Sequence, residues 1–430
     1  METTLILLGL LSLLFAGVPV AISLGLVSTI GIWITMGPAA LYNIGQTAYS
    51  TPANFVLIAV PLFILLAEVL SASELSSDLF DAASKWLNWT PGGLASGSVL
   101  ACAIFGALTG SSAANTAAMG NVCVPEMLKR GYDKGLATGS VCAAGALAIL
   151  IPPSIMMIIY GSLTDNSIAK LFMAGLLPGV LLAIMHVIDI SVRCKLNPKL
   201  APPSPPVSWK DRWSATRKIW WVGTLIVVMM GGIYSGICTP TEAAALGSIA
   251  AIVLSFTLGK RMTWVKLESA LSRTVTITCM VLFILVGAML FGYFVTNLGI
   301  PQGIVEWITS LDISRWWVLI AINILYVFLG CILDAGSIFM ITVPILYPVV
   351  MALHFDPIWF GVIIVMNMEI GNITPPFGIN LFVMKGIVPR DVLFGDIIRG
   401  ITPFVLVQAL ALVLTIAFPW LSLWLPSTMK

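Results

Sequence analysis

Two apolar stretches of the chain each contain a double proline: ALAILIPPSIMMIIYG at residues 146–161 and NMEIGNITPPFGINLF at residues 367–382. Proline lacks the backbone N–H that continues a helix, so a pair of prolines inside such a stretch interrupts the helix. Pro152–Pro153 and Pro375–Pro376 lie 223 residues apart. The same offset relates three further pairs: Ser111 to Asp334, Pro125 to Pro348, and Asp133 to Asp356. The two stretches therefore predict two broken helices that belong to an internal repeat.

The composition places these helices in a membrane. Of 430 residues, 59% are hydrophobic and only 9% are charged, and the mean hydropathy is +1.03. A soluble domain carries about 25% charged residues. A net charge of +2 without a basic run argues against nucleic-acid binding. Five charge-free runs are each long enough for a membrane span: 3–67, 86–125, 136–164, 274–305 and 400–429. The runs are continuous rather than alternating, which favours helices over a barrel.

Charge at two equivalent turns predicts how the halves are oriented. The turn KRGYDK at residues 129–134 carries three cations, whereas the matching turn ALHFDP at 352–357 carries no Lys or Arg. By the positive-inside rule, these turns lie on opposite sides of the membrane. We therefore predict an all-α polytopic membrane protein built as an inverted repeat, the usual plan of secondary transporters. Both termini fall outside the cell interior in this topology.

The repeat predicts the following domain organisation. The first repeat, residues 1–192, contains membrane spans, an interfacial arm helix at 73–89, a re-entrant hairpin at 93–128 and a broken helix at 135–163. A linker at 193–218, rich in proline and in Lys and Arg, is expected to be extended and cytoplasmic. The second repeat, residues 219–430, has an arm helix at 298–312, a hairpin at 315–351 and a broken helix at 357–386.

Polar residues concentrate at the predicted hairpins and breaks. The first hairpin contains FGALTGSSAANTAAMG at 105–120, where close helix packing explains Gly and Ala but not the hydroxyls and the amide. In the second hairpin, Asp334 is a functional candidate, or alternatively an aspartate near a membrane face. The segment 367–382, which includes Glu369, favours a binding site over a plain kink. At 146–161 a plain kink is as good an interpretation as a cation site.

Other polar residues have simpler interpretations. Thr239, Pro240 and Glu242 form a predicted capping box, which favours a structural role for Glu242. His186 and His354 are expected at the periphery, so hydrolytic chemistry is disfavoured and the chain is not expected to be an enzyme. Arg399 is the one candidate partner for a substrate carboxylate, at the inner edge of the membrane.

The segments TGSSAANTAA, IPPS, LFMAGLLPG, TPTEAAA and GNITPPFGINLF resemble the large membrane subunit of tripartite ATP-independent periplasmic (TRAP) transporters. The resemblance covers essentially the whole chain. It implies an elevator-type transporter of the ion-transporter superfamily in the bacterial inner membrane, and the outside location that the charges predict for both termini would then be the periplasm. It also implies Na⁺-driven import of an organic anion such as a carboxylate or sugar acid, without an organic cofactor. The implied partners are a periplasmic substrate-binding protein and a small four-helix membrane subunit, expected here as a separate chain.

The resemblance also implies site residues. One Na⁺ site would use Ser111, Ser112, Asn115 and the backbone of Ile151 and Pro152. A second Na⁺ site would use Asp334, Gly336, Ser337, Gly371, Asn372 and Thr374. The substrate would lie between them, against Thr116, Pro153, Ser154, Pro375, Pro376 and Asn380.

Two rival functions remain open at this stage. A symporter of the same superfamily that needs no soluble partner would share all of these features. A structural membrane subunit without its own pathway is disfavoured, because a pure scaffold has no need of polar clusters in the middle of the membrane.

Overall fold

The computed structural model describes residues 2–73, 75–259, 262–311, 313–330, 333–376 and 378–429. Within these ranges the secondary structure is entirely helical, with twenty α-helices and no strand. The first half contains α1 (Glu2–Phe15), α2 (Val20–Met36), α3 (Tyr42–Ser50), α4 (Ala59–Ala72), α5 (Leu75–Leu87), α6 (Gly93–Thr109), α7 (Ser112–Lys129), α8 (Lys134–Ala146), α9 (Ile155–Thr164) and α10 (Ile168–Leu196). The second half contains α11 (Trp209–Tyr234), α12 (Pro240–Leu254), α13 (Trp264–Asn297), α14 (Ile300–Ser310), α15 (Arg315–Gly330), α16 (Ala335–Ala352), α17 (Pro357–Ile373), α18 (Ile379–Ile387), α19 (Phe394–Ala417) and α20 (Trp420–Ser427).

The length and apolarity of the helices confirm a polytopic membrane protein. Among the described residues, six helical segments are long and apolar enough to cross a bilayer: Phe55–Ala72, Ile168–Leu196, Pro240–Leu258, Trp264–Asn297, Ala335–Ala352 and Phe394–Ala417. Shorter apolar helices, including α2, α6, α15 and α17, lie beside them.

Hairpins and breaks occur in the same order in each half. Helices α6 and α7 form the first hairpin, and its turn passes through Gly110 at a φ of +57°, a left-handed conformation that glycine adopts without strain. Helix α8 continues into a 3₁₀ turn at Leu147–Ile149, and α9 begins beyond the prolines. Helices α15 and α16 form the second hairpin, and α17 and α18 flank the second proline pair. The inverted orientation of the two halves in the membrane was inferred from the charges of the two turns, and it remains a prediction.

The innermost helices belong to these broken segments. Every residue of α8 from Gly135 to Ala146 is buried, and so is every residue of α17 from Ile358 to Ile373. Small residues allow this close packing: a Cβ on Gly139 would lie only 2.5 Å from the backbone of Gly400 in α19.

The described helices differ from the expected boundaries most clearly at the predicted linker. Helices α10 and α11 extend into the predicted linker, so the non-helical part is 197–208 rather than 193–218. The last proline of this segment is Pro206, and the hydroxyl of Ser208 caps α11 by accepting the backbone N–H of Asp211 at 3.1 Å. Helix α3 lies between α2 and α4, and Pro419 separates α20 from α19.

The capping box at α12 is confirmed. The backbone N–H of Thr239 donates to the Glu242 carboxylate at 2.8 Å, and the backbone N–H of Glu242 donates to the Thr239 hydroxyl at 3.3 Å. Glu242 is therefore a structural residue at a helix start, as the sequence predicted.

Candidate functional site

A cavity of about 580 Å³ lies where the two hairpin tips meet the two helix breaks. The first hairpin tip and the first break contribute these lining residues: Thr109, Gly110, Ser111, Ser112, Ala113, Ala114, Ile149, Ile155 and Met156. The second half contributes Asp334, Ala335, Gly336, Ser337, Asn372, Ile379 and Asn380. Helices α2, α4 and α13 form the remaining wall. The fold thus joins four segments that are far apart in sequence into one site.

Four helices begin at this cavity. The lining residues include the first residues of α7, α9, α16 and α18. A helix N-terminus presents unpaired backbone N–H groups and a partial positive charge, so it attracts an anion. Three of the preceding helical segments end at the same place, because Thr109 of α6, Ile149 of the 3₁₀ turn after α8 and Asn372 of α17 also line the cavity. Their terminal carbonyl groups favour a cation. The arrangement can therefore accept an anion and a cation side by side.

The first hairpin tip is bonded directly to the second break. The Asn380 side-chain amide donates to the Ser112 hydroxyl at 2.8 Å and to the Cys142 carbonyl at 3.2 Å. Ser112 is 5% exposed, and Asn380 is fully buried. Since Ser112 and Asn380 lie in different halves of the chain, this pair holds the two halves of the site in register.

Asn115 anchors the first hairpin from behind the cavity. Its amide nitrogen donates to the carbonyls of Cys102 in α6, at 3.0 Å, and Gly145 in α8, at 3.2 Å. Its Oδ1 atom and the Thr116 hydroxyl have no hydrogen-bond partner among the described residues, although both side chains are fully buried. Leaving a buried oxygen without a partner costs about 1–3 kcal/mol. Two such neutral oxygens suit a hard cation such as Na⁺.

The second hairpin tip carries a formal charge. One Asp334 carboxylate oxygen accepts the backbone N–H of Ser337 at 3.1 Å, and the other accepts the Ser337 hydroxyl. Asp334 is therefore the N-cap of α16, and its carboxylate also lines the cavity. Beneath it, Gly371 packs so tightly on Gly330 that a Cβ on Gly371 would lie 2.5 Å from the Gly330 Cα.

The site residues expected from the sequence separate into two groups. Those that line the cavity are Ser111, Ser112, Asp334, Gly336, Ser337, Asn372 and Asn380. Those that lie outside its lining are Asn115, Thr116, Ile151, Pro152, Pro153, Ser154, Gly371, Thr374, Pro375 and Pro376. Several of the second group stabilise the breaks: the Ser154 hydroxyl donates to the Ile149 carbonyl at 2.5 Å, and the Thr374 hydroxyl to the Ile370 carbonyl at 2.6 Å.

Two polar residues are not where the sequence suggested. His186 is fully buried against the ring of Phe404, at 5.4 Å between ring centroids, so the expected peripheral position is wrong. Glu369 is fully buried without a hydrogen-bond partner among the described residues, and it does not line the cavity. No group of three His, Cys, Asp or Glu side chains suited to a metal ion occurs in the described part of the chain.

One charged lining residue was missed. Glu68 lies on the face of α4 that also presents Ile64, Ala67 and Ser71 to the cavity. The helical spacing of these four residues was visible in the sequence. Nothing local distinguished that face from one that packs against another helix or against lipid.

An all-helical membrane bundle whose interrupted helices meet around one cavity defines a membrane transporter. The chain belongs to the family described as "Tripartite ATP-independent periplasmic transporter, DctM component", whose model matches residues 7–421.

Individual proteins agree with this assignment. The chain is 36% identical over 405 residues to the C4-dicarboxylate TRAP transporter large permease protein DctM of Pseudomonas aeruginosa, covering 94% of each chain. It is 33% identical to the ectoine TRAP transporter large permease protein TeaC of Halomonas elongata, covering 98% of each. Among solved structures, the YdaH transporter of Alcanivorax borkumensis superposes with a TM-score of 0.63 at 15% identity, covering 90% of each chain. This last likeness concerns the fold alone.

Proposed function

We propose that this protein performs Na⁺-coupled import of an organic anion, a carboxylate or sugar acid, across the bacterial inner membrane. The observation that carries the proposal is the cavity at which four helices begin. Their N-terminal N–H groups provide a binding field for an anion without a fixed cation in the lining. The curated relatives are permeases for a C4-dicarboxylate in one case and ectoine in another, which supports a small polar solute.

The charges of the lining support coupling to a cation. Among the described lining residues, Glu68 and Asp334 are acidic, and none is Lys, Arg or His. Glu68 is paired with Arg273 at 2.6 Å, so the carboxylate that would repel an anionic solute entering this cavity alone is that of Asp334. Na⁺ bound near Asp334, and near the unpartnered oxygens of Asn115 and Thr116, would offset that repulsion. Loaded with both ions, the site would cross the membrane at a lower electrostatic cost.

The motion we propose is an elevator movement. The hairpins and broken helices would move together, because Ser112 bonds to Asn380 across the halves and α8 packs closely on α19. Helices α2, α4 and α13 would form the stationary wall. The amphipathic helices α5 and α14 would connect the two parts as arms.

The partners in this proposal are those of a three-part system. A periplasmic substrate-binding protein would deliver the solute, and a small four-helix membrane subunit would be a separate chain. Both termini would face the periplasm. The similarity to relatives that are themselves TRAP transporter large permeases supports this assembly.

The test is uptake by proteoliposomes that contain this chain, its small subunit and its binding protein. Solute accumulation should require an inward Na⁺ gradient and should collapse with a Na⁺ ionophore. Equal uptake in K⁺ would contradict the coupling. Accumulation by this chain alone would instead support a symporter that needs no soluble partner.

A further inference from the structure

The four helix starts at the cavity differ in how their backbone N–H groups are capped. At α16, the Asp334 carboxylate accepts the N–H of Ser337 at 3.1 Å. At α9, the Ser154 hydroxyl accepts the N–H of Met157 at 3.4 Å. Helices α7 and α18 have no side-chain cap within the described ranges. An uncapped start keeps its N–H groups and its partial positive charge for a bound anion, so α7 and α18 are the open starts.

The two open starts lie side by side. Ser112, the first residue of α7, bonds to Asn380, the second residue of α18, at 2.8 Å, and both line the cavity. Asn372 also lines the cavity and is only 6% exposed, and its side-chain amide has no hydrogen-bond partner among the described residues. Arg399, the cation that the sequence suggested for a solute carboxylate, is not a lining residue. The cavity therefore offers one position for a carboxylate, at the open starts.

Beyond these starts, the hairpin tips and breaks present mainly apolar side chains to the cavity. The apolar residues are Ala113, Ala114, Ile155, Met156, Ala335 and Ile379. Several polar side chains of the lining are already bonded to one another: Ser112 to Asn380, and Ser337 to Asp334. Hydroxyl groups on a solute would lose water here and find few partners in exchange, which weakens binding. An apolar solute body would instead gain contacts.

Met156 reaches from the first break to the second hairpin tip. It is the second residue of α9 and is half-buried. A Cβ on Gly336, in the first turn of α16, would lie 3.7 Å from the methyl carbon of Met156. Because Gly336 also lines the cavity, the Met156 side chain lies between the two halves of the site. A solute whose carboxylate is held at the open starts would place its body against this side chain.

We propose that the transported solute carries a single carboxylate on an apolar body, and that Met156 selects that body. This inference rests on the proposed transport of an organic anion and narrows its substrate class. A second carboxylate on the solute is disfavoured, because the start of α16 is already occupied by the carboxylate of Asp334. A sugar acid is disfavoured, because its hydroxyl groups would face apolar side chains.

A purely structural role for Met156 makes a different prediction. If its side chain only filled space between the first break and Gly336, a substitution would weaken the binding of every solute to the same degree. If Met156 selects the solute body, a polar substitution should change the ratio of affinities between an apolar and a hydroxylated acid. This ratio is the readout that distinguishes the two roles.

The experiment compares three acids that have the same number of carbons: hexanoate, hexanedioate and gluconate. Each radiolabelled acid is bound at equilibrium to the purified complex of this chain with its small subunit, in Na⁺ and in K⁺. The Na⁺-dependent part of the binding is taken as specific. The soluble binding protein is left out, so that its own preference does not enter the result. Hexanoate should bind at least about tenfold more tightly than either of the other acids.

Met156→Gln tests the selection of the apolar body. Glutamine keeps the unbranched side chain but brings an amide against the solute, so the preference for hexanoate over gluconate should fall at least about tenfold. Met156→Leu keeps an apolar side chain of similar volume and should retain most of that preference. Met351→Gln is the matched control, because Met351 is 38% exposed near the end of α16 and lies outside the cavity lining.

Ser111→Asp tests the open start of α7. An aspartate at this N-cap would give the first tip the kind of cap that Asp334 provides at the second, so hexanoate should bind at least about tenfold more weakly. Ser167→Asp, at the N-cap of α10 and outside the cavity lining, is the control and should bind hexanoate like the wild type. Thermal unfolding in detergent shows whether each variant has remained folded.

The outcomes separate this inference from the proposed function. Hexanedioate or gluconate binding as tightly as hexanoate, or no Na⁺-dependent binding of hexanoate, would overturn the inference. An equal loss of hexanoate and gluconate affinity in Met156→Gln would leave Met156 with a structural role only. Na⁺-driven uptake of a dicarboxylate or sugar acid by the three-part proteoliposomes would contradict the inference and keep the proposed function. If Na⁺ drives the uptake of no solute there, the proposed function is wrong and this inference is lost with it.

Discussion

The two halves of the site use the same helix plan with different chemistry. At the first hairpin, the polar groups are neutral, and Asn115 is bonded to α6 and α8 behind the cavity. At the second, Asp334 brings a carboxylate into the cavity wall and caps α16 with it. The packing beneath the tips differs as well: Gly106 faces Ala148 in the first half, whereas Gly330 faces Gly371 in the second.

Under the proposed Na⁺ coupling, this difference gives the two halves different tasks. A neutral set of oxygens binds a cation only if packing holds each oxygen in place, so the first half depends on precise anchoring. A carboxylate attracts a cation over a longer distance, so the second half depends on charge. The predictions below test this contrast, beginning with the largest expected effect.

Gly371→Ala would give the second half the residue that the first half has at the equivalent position, Ala148. The added methyl group would collide with Gly330, so we expect a loss of about 3 kcal/mol in the free energy of unfolding. Titration of the detergent-solubilised protein with dodecyl sulfate measures this. The control is Gly386→Ala, where an added Cβ meets nothing within 4 Å. Equal unfolding midpoints for the two variants would show that the contact between Gly371 and Gly330 tolerates a methyl group.

Asn115→Ala tests the anchoring of the first half. The substitution removes both hydrogen bonds to α6 and α8 and leaves a void, so the protein should lose about 2 kcal/mol of stability. Asn121→Ala on the same helix is the control, because the exposed Asn121 amide bonds, among the described residues, only to the Ala117 carbonyl of its own helix. If Asn115→Ala is as stable as Asn121→Ala, Asn115 does not anchor the first hairpin.

Asp334→Asn tests the charge of the second half. Asparagine is as good an N-cap as aspartate, so α16 should keep its start while the site loses its negative charge. The Na⁺ concentration for half-maximal uptake should rise about tenfold, equivalent to about 1.4 kcal/mol. Asp133→Asn, at the N-cap of α8, is the matched control and should leave the Na⁺ dependence unchanged. An Asp334→Asn protein with the wild-type Na⁺ profile would exclude Asp334 from the cation site.

Ser112→Ala tests the link between the halves. Loss of the hydrogen bond to Asn380 should destabilise the protein by about 1 kcal/mol. A double-mutant cycle with Asn380→Ala isolates the coupling energy of the pair. Ser98→Ala, whose hydroxyl bonds within α6, provides the comparison. Additive effects of the two substitutions would mean that the halves are not joined through this pair.

Local patterns predicted the helix interruptions and the structural role of Glu242. Double prolines interrupt a helix in any context, and the capping box at Thr239 needs only residues in one turn. The same patterns could not tell which polar residues reach the cavity. Ser111 and Ser112 line it, whereas Asn115 and Thr116, one turn later, lie behind it among α6 and α8.

Other features depended on contacts between distant segments. The pair Glu68 and Arg273 is 205 residues apart in sequence, and neither residue belongs to a polar motif. The burial of His186 depends on Phe404, which comes from the other half of the chain. Such positions follow from how helices pack, and helix packing leaves no short-range signal in the sequence.

The sequence by itself determined that this is a polytopic helical membrane protein with two interrupted helices in repeated order. It could do so because composition and proline act locally and in any fold. Only the tertiary structure decided that four helix starts meet at one cavity, that Asn380 bonds to Ser112, and that Glu68 in the cavity wall pairs with Arg273. These features depend on distances between side chains of separate helices, and only the packed fold sets such distances.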